Sequence, residues 1–106
     1  MRTSPIDKDA RRNHLRKQAG VWLKQKREEA GLTQKDLAAI LDLKIYTFVA
    51  QIEQGKGRIP FERYGDWAKA LRMDEYDFTA KALSYYEPSI FDIMVVGASR
   101  RSNSKF

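Results

Sequence analysis

The sequence contains no cysteine and a single histidine, His14. Disulfides and thiolate chemistry are therefore excluded, and too few nitrogen and sulfur ligands remain for a zinc site. No apolar run approaches the ~20 residues that cross a bilayer, and the first residues carry charges where a signal peptide needs an apolar segment. We therefore expect a cytoplasmic protein that has no metal, no cofactor and no membrane span.

The sequence also lacks the residue types of a catalytic site. No set of nucleophile, base and orienting group stands out. The carboxylates of residues 74–78 gather at a predicted helix start, where they favour the helix dipole. Residues 55–58, "GKGR", have neither the spacing of a phosphate-binding loop nor a strand before them. We predict that the protein is not an enzyme.

Positive charge exceeds negative charge in the first half of the chain. Residues 1–30 hold nine Lys or Arg against four Asp or Glu, whereas residues 61–96 hold four against seven. The net charge of the chain is +6. A polyanion would be attracted to one side of such a molecule and repelled by the other. The alternative is that the N-terminal charges only solvate a long helix.

The spacing of apolar residues predicts helices along a single domain. Pro5 is a first-turn proline, Gly20 divides a basic arm from the first helix of the domain, and that helix ends at Gly31. A second helix is capped by Thr33, and a fifth is capped by Asp74. The predicted parts are a basic N-terminal helical arm (1–19), the domain (20–86), an apolar C-terminal element (87–96) and a flexible basic tail (97–106).

The third helix, from Ile45 or Tyr46 to Gln54, has two contrasting faces. Apolar residues at spacing i, i+3, i+4 and i+7 predict a core-facing stripe. These residues are Ile45, Phe48, Val49 and Ile52. The opposite face is short or polar and carries no charge, whereas a face meant only for water usually carries Lys and Glu. Its residues are Thr47, Ala50, Gln51 and Gln54.

An uncharged polar face suits a helix that lies in the DNA major groove. A glutamine amide can pair with adenine through N6 and N7, and Thr47 can offer a methyl to thymine or a hydroxyl to a phosphate. Flanking cations such as Lys44 and Lys56 would hold phosphates and set the register without reading sequence. The alternative is an ordinary helical bundle whose third helix is polar on the outside.

Residues 20–80 contain three motifs: "LKQKREEAGLTQKDLAAIL", "QIEQGKGRIP" and "WAKAL". With them the sequence resembles the Xre family of bacterial and phage repressors, the lambda-repressor-like helix-turn-helix proteins. The resemblance implies an all-α fold with a five-helix domain, in which the second and third helices read DNA. It also implies that Gln34 contacts the DNA backbone and supports the recognition helix, and that Arg27 and Glu53 form an internal ion pair.

The sequence departs from the family pattern in the turn before the third helix. Asp42 stands where the family usually has glycine, and residues 42–53 are one residue longer than the common pattern. Ile45, Tyr46 and Phe48 are bulkier than the serine, threonine or arginine often found there. Tyr46 either touches a phosphate or leans on the core.

We predict that the second and third helices and the loop after them bind DNA. The predicted DNA-binding residues are Gln34, Lys35, Lys44, Tyr46, Thr47, Ala50, Gln51, Gln54, Lys56 and Arg58. The apolar C-terminal element either closes the core or forms a two-fold dimer interface, and we favour the interface. The predicted dimerisation residues are Ile90, Phe91, Met94 and Val95.

These features together predict sequence-specific binding of double-stranded operator DNA by a homodimeric transcriptional repressor. Such a regulator would be of bacterial or phage type and would lie in the cytoplasm with the nucleoid. The alternative is a module that binds another protein, such as the antitoxin of a toxin–antitoxin pair. Salt-sensitive binding to duplex DNA separates the two hypotheses.

Overall fold

The structure is a computed structural model that describes residues 5–102 of the chain, with side chains described for residues 8–100. All regular structure in this described part is helical, which confirms the all-α prediction. The α-helices are α1 (Pro5–Glu29), α2 (Gln34–Ile40), α3 (Thr47–Glu53), α4 (Tyr64–Ala70), α5 (Glu75–Tyr86), α6 (Pro88–Phe91) and α7 (Gly97–Ser102). A 3-10 turn (Phe61–Arg63) precedes α4, and a π-helical turn (Asp92–Val96) joins α6 to α7.

The predicted apolar C-terminal element (87–96) is helical from Pro88 onward. We call residues 88–102 the C-terminal segment. It adds helical turns to the predicted five helices, and it continues through Gly97–Ser102, where the sequence predicts a flexible tail. Residues 103–106 of that predicted tail lie outside the described residues. No proline or left-handed glycine interrupts the segment after Pro88, so the helix has no local reason to end at Gly97.

Helix α1 is continuous through Gly20, where the sequence predicts a boundary. A Cβ atom at Gly20 would overlap the backbone carbonyl groups of Ile52 and Glu53 at the end of α3. Gly55 makes a second close approach, because a Cβ there would lie 2.8 Å from the Cα of Lys17. Both glycines therefore allow the backbones of α1 and α3 to touch, and this contact is why Gly20 is tolerated inside a helix.

The core lies between α1, α4 and α5 and closes over the buried side of α2 and α3. Its centre is aromatic: the ring centroids of Trp22 and Phe78 are 5.2 Å apart, and those of Tyr64 and Phe78 are 6.0 Å apart. Phe78 has no exposed surface. Truncating it to alanine is expected to cost about 3–5 kcal/mol of unfolding free energy, which is a large part of the stability of a domain this size.

The predicted helix starts are present. The hydroxyl of Thr33 accepts a hydrogen bond from the backbone N–H of Asp36 at 3.0 Å, and the carboxylate of Asp36 accepts one from the backbone N–H of Thr33 at 2.9 Å. Hydrogen bonds to this carboxylate from the backbone of Thr33, and then from its side chain, lower the pKa of Asp36. Asp74 caps α5 in the same way, by accepting from the backbone N–H of Asp77 at 3.0 Å. The two caps fix where α2 and α5 begin.

Four helices end in the same motif. In each, a residue with positive φ follows the helix, its N–H bonds back to a carbonyl three residues earlier, and the next N–H bonds to one five residues earlier. The residues with positive φ are Gly31, Asp42, Gly55 and Arg72.

The residue that follows each positive-φ residue determines whether the helix end contacts the core or faces solvent. Leu32, Leu43 and Met73 occupy this position after α1, α2 and α4, and all three pack against the core. After α3 the same position is Lys56, which is exposed. The exit from α3 therefore presents a cation to solvent where the other helix ends insert an apolar side chain.

Candidate nucleic-acid interface

The predicted uncharged face of α3 points outward. Thr47, Gln51 and Gln54 are exposed and Ala50 is half-buried. On the other side of the helix, Val49 has no exposed surface and the exposed fraction of Ile52 is 9%. The helix is thus anchored by its apolar side, and its polar side is open to a ligand.

The core-facing stripe predicted for the third helix is only half right. Val49 and Ile52 are buried, but Ile45 and Phe48 are 53% and 50% exposed. The helix begins at Thr47, with Tyr46 as its N-cap, so Ile45 precedes the helix and cannot continue its periodicity. Phe48 lies about 100° around the helix from Val49 and falls at the edge of the outward face.

An ion pair holds the end of α3 against α1. Arg27 Nε donates to Glu53 Oε2 at 2.6 Å, and Arg27 Nη2 donates to Glu53 Oε1 at 3.2 Å. The guanidinium also donates to the carbonyl of Leu32 at 2.7 Å, and the side chains of Arg27 and Glu53 are only 9% and 4% exposed. The hydrogen bond to Glu53 raises the pKa of Arg27. The pair that the resemblance implies is therefore a buried bidentate one.

The side chain of Gln34 joins this ion pair. Its amide Nε2 donates to Glu53 Oε1 at 3.0 Å, and the residue is half-buried at the first position of α2. Because Glu53 accepts from both α1 and α2, the end of α3 is fixed to both helices at once. This contact matches the supporting role that the resemblance implies for Gln34. Its contact with the DNA backbone stays a prediction.

Three cations lie at the margins of the outward face. Lys35, Lys44 and Lys56 are all exposed. The Nζ atom of Lys35 lies 5.2 Å from the ring centroid of Tyr46, which is 46% exposed. Such cations are free to approach phosphates on either side of a groove.

Arg58 is engaged inside the protein, although the sequence places it among the DNA-binding residues. Its Nη1 donates to Glu87 Oε2 at 2.7 Å, and its guanidinium lies 4.7 Å from the ring centroid of Phe61 and 4.8 Å from that of Tyr86. Burial opposes its charge, but hydrogen bonds to Glu87 and Tyr64 leave its pKa raised. To reach a phosphate, this guanidinium would have to break its contacts with two rings and a carboxylate. We therefore infer that Arg58 stabilises the loop after α3.

Phe48, an exposed apolar residue at the start of α3, borders a groove that the sequence does not reveal. The groove has a volume of about 380 Å³ and lies between α3, the loop after it and α4. Its walls include Leu43, Phe48, Gln51, Pro60 and Trp67. The only sequence signal for it is the bulk of residues 45–48, where the family often carries small or polar side chains.

The predicted dimerisation residues lie on the C-terminal segment with much of their surface open. Ile90 is 42% and Met94 is 62% exposed, while Phe91 and Val95 are half-buried. Ile93, which the sequence-based set omits, is 71% exposed. Much of the apolar surface of this segment is therefore open to solvent.

Within the described residues, no group of three or more His, Cys, Asp or Glu side chains is placed to hold a metal ion. The same part of the chain contains no helix with the length and apolar character needed to span a bilayer.

Comparison with known proteins identifies the family. A helix-turn-helix family model, HTH_3, matches residues 23–78, which cover more than half of the chain and include α2, α3 and the turn between them. No curated protein matches the sequence. Proteins of this family are DNA-binding regulators and are not usually enzymes. The chain therefore belongs to the helix-turn-helix family HTH_3, the Xre or lambda-repressor-like group that its motifs resemble.

Proposed function

We propose that the protein binds a specific double-stranded DNA operator as a homodimer and represses transcription there. The observation that carries this proposal is the outward face of α3, where Thr47, Gln51 and Gln54 are exposed between Lys44 and Lys56 without a carboxylate among them. A carboxylate on that face would be repelled by phosphates. As a regulator of bacterial or phage type, it would work in the cytoplasm, where the nucleoid lies.

Each part of the proposed interface has a separate task. The amides of Gln51 and Gln54 would pair with base edges in the major groove, where each good bidentate pair discriminates by about 1–3 kcal/mol. Lys35, Lys44 and Lys56 would contact phosphates and set the register of α3 on the duplex. The buried pair of Arg27 and Glu53 would hold α3 at a fixed angle to α1.

The C-terminal segment would join two copies. Two-fold dimers of helix-turn-helix proteins place their recognition helices one helical turn of DNA apart, about 34–36 Å, and bind palindromic sites. Ile93 and Met94, the most exposed apolar side chains of the segment, would lie at the centre of the contact.

Selection from a random duplex pool tests the proposal. We expect the purified protein to enrich a palindromic sequence whose half-sites are separated by about one turn of DNA. Gln51→Ala should then bind the selected duplex less tightly and lose preference at one base pair per half-site, whereas Lys56→Ala should weaken all sequences alike. Enrichment of no sequence, with no binding to any duplex at low salt, would refute the proposal.

A further inference from the structure

The start of α3 exposes a group of large apolar side chains that the protein does not cover. Ile45, Tyr46 and Phe48 are 53%, 46% and 50% exposed and lie within four residues of one another. We call them the apolar edge. Several exposed apolar residues close together on a charged surface mark a contact site more often than a single scattered one does.

The apolar edge is continuous with the proposed base-reading face. Phe48 and Gln51 are three residues apart, so their side chains are neighbours on the helix, and both line the groove between α3 and α4. Ile45 and Tyr46 immediately precede the helix, at the end that enters the major groove first when a recognition helix docks. The ring and the amide would therefore meet the same or adjacent base pairs.

The charges around the apolar edge fit DNA. Residues 43–52 contain no Asp or Glu. Lys35 lies over the ring of Tyr46, and Lys44 is exposed directly before Ile45. Such a surface complements the major groove of DNA, where base edges form the bottom of the groove and phosphates line its two sides. The apolar residues would contact the bases, and the cations would contact the phosphates.

In the major groove, one chemical group is apolar. Thymine presents its 5-methyl group there, beside the adenine N6 and N7 atoms that a glutamine amide recognises. Phe48 and Gln51 together offer the two complementary groups, an apolar ring and an amide. We infer that Phe48, with Ile45 beside it, reads thymine 5-methyl groups, so that α3 selects A·T pairs at the start of each half-site. This inference rests on the proposed function.

Replacing thymine by deoxyuridine tests it, because the exchange removes the methyl group and leaves the base-pair hydrogen bonds in place. The probe is the duplex selected from the random pool, with single thymines replaced in turn. We expect one or two positions per half-site at which the exchange weakens binding about four-fold, the value of one methyl group taken out of contact.

The protein variants assign the effect to Phe48. Phe48→Ala should bind the thymine and deoxyuridine duplexes equally at those positions, and Phe48→Leu should keep part of the difference. Because half of the Phe48 side chain is already exposed, the alanine variant is expected to fold. Tyr76→Ala, which removes a 63% exposed ring from α5, is the matched control and should keep the full difference.

The outcomes separate the inference from the proposed function. If no duplex is bound at any salt concentration, the proposed function fails and the inference with it. If the wild type selects a palindrome but tolerates deoxyuridine everywhere, only the inference is overturned. The same holds if Phe48→Ala keeps the wild-type sensitivity to the methyl group, in which case the apolar edge serves another partner, such as a protein.

Discussion

At the scale of single residues, buried polar groups explain how the short helix α3 is held. The side chains of Arg27 and Glu53 are both almost fully buried. Either charge would destabilise the folded protein if it lost its partner. Gln34 adds a third donor to the same carboxylate. The seven residues of α3 are thus fixed at their last turn by side chains from α1 and α2.

We expect Arg27→Met to lower the free energy of unfolding by about 3 kcal/mol, because it leaves the buried carboxylate of Glu53 without its cation. Urea denaturation measures the change. Adding Glu53→Gln to Arg27→Met should restore part of the lost stability, since the charge that had no partner is removed. A double variant no more stable than the single one would show that the pair is not the cause.

The phenol of Tyr86 predicts a pH dependence. Burial of the ring raises the pKa of Tyr86 from 10.0 to about 12, so the folded state holds this proton more tightly than the unfolded chain. The stabilisation is complete below pH 10 and is lost as the pH rises towards about 12. Burial raises the pKa of Tyr64 as well, so the two residues act in the same direction.

We expect the free energy of unfolding to fall between pH 10 and about 12 by an amount on the order of 2 kcal/mol in the wild type. Tyr86→Phe should flatten this fall, and Tyr76→Phe, which alters an exposed ring, should leave it unchanged. Urea denaturation at several alkaline pH values measures both. An equally steep fall in Tyr86→Phe would contradict the assignment to Tyr86.

At the scale of elements, the turn between α2 and α3 shows what the sequence could predict and where it could not. Thr33, Asp36 and the end of α2 follow from local chemistry, because a cap depends on neighbouring residues. Asp42 adopts φ 55°, the conformation that suits the glycine usual at this place. The resemblance located that position, but it could not show how the extra residue before α3 would be accommodated.

The main error in the sequence interpretation concerns the start of α3 and its inward side. Periodicity placed Ile45 and Phe48 with Val49 and Ile52 on one inward stripe. The helix starts at Thr47, and its short inward side is filled by Val49 and Ile52 alone. Periodicity gives the faces of a helix but not the residue at which it begins, and tertiary contacts decided that here.

Arg58 is a second case that local sequence could not resolve. Its place after Lys56 predicts a phosphate contact, and the structure pairs it with Glu87, which is 29 residues away. This contact, together with the ring of Tyr86, ties the loop after α3 to the end of α5. Long-range pairs of this kind leave no mark in the spacing of neighbouring residues.

The contact between α1 and α3 predicts that an alanine at Gly20 lowers the stability of the protein, whereas an alanine at Gly65, which lies outside this contact, does not. Gly20→Ala should destabilise the protein, because the new Cβ would collide with backbone atoms of Ile52 and Glu53 that cannot move without shifting α3. Gly65→Ala, in α4, meets only the end of the flexible Glu75 side chain and should be neutral or stabilising by up to about 1 kcal/mol.

Thermal unfolding of the two alanine variants measures this difference. Helix propensity alone would make both substitutions favourable. If Gly20→Ala is as stable as Gly65→Ala, the close approach of α1 and α3 is not a constraint on the fold.

At the scale of the whole molecule, the apolar surface of the C-terminal segment has consequences for assembly. Ile93 and Met94 are 71% and 62% exposed, and they lie far along the chain from α3. Ile93→Glu and Met94→Glu should each raise the dissociation constant of the proposed dimer at least ten-fold, because a carboxylate would be buried without a partner.

Sedimentation velocity over a range of protein concentrations measures this constant. Val21→Glu is the matched control, since Val21 is 68% exposed on α1 and its exchange introduces the same charge elsewhere. A wild type that is monomeric at all concentrations, or segment variants that associate like Val21→Glu, would rule out this interface.

The uneven distribution of charge in the molecule should determine the orientation in which it approaches DNA. Lys35, Lys44 and Lys56 lie at the margins of α3, and seven of the fourteen acidic residues follow the proposed interface in the sequence, in residues 61–96. A polyanion should therefore approach from one side only.

The salt dependence of duplex binding tests the central claim most directly. For the selected duplex, we expect the logarithm of the association constant to fall linearly with the logarithm of salt concentration, with a slope that reflects several phosphates. Lys56→Ala should reduce that slope by about 0.9 per protomer, and Lys69→Ala, a change at an exposed cation of α4, should leave it unchanged. Binding that is absent, or that does not depend on salt, would contradict the account of α3 as a DNA-reading helix.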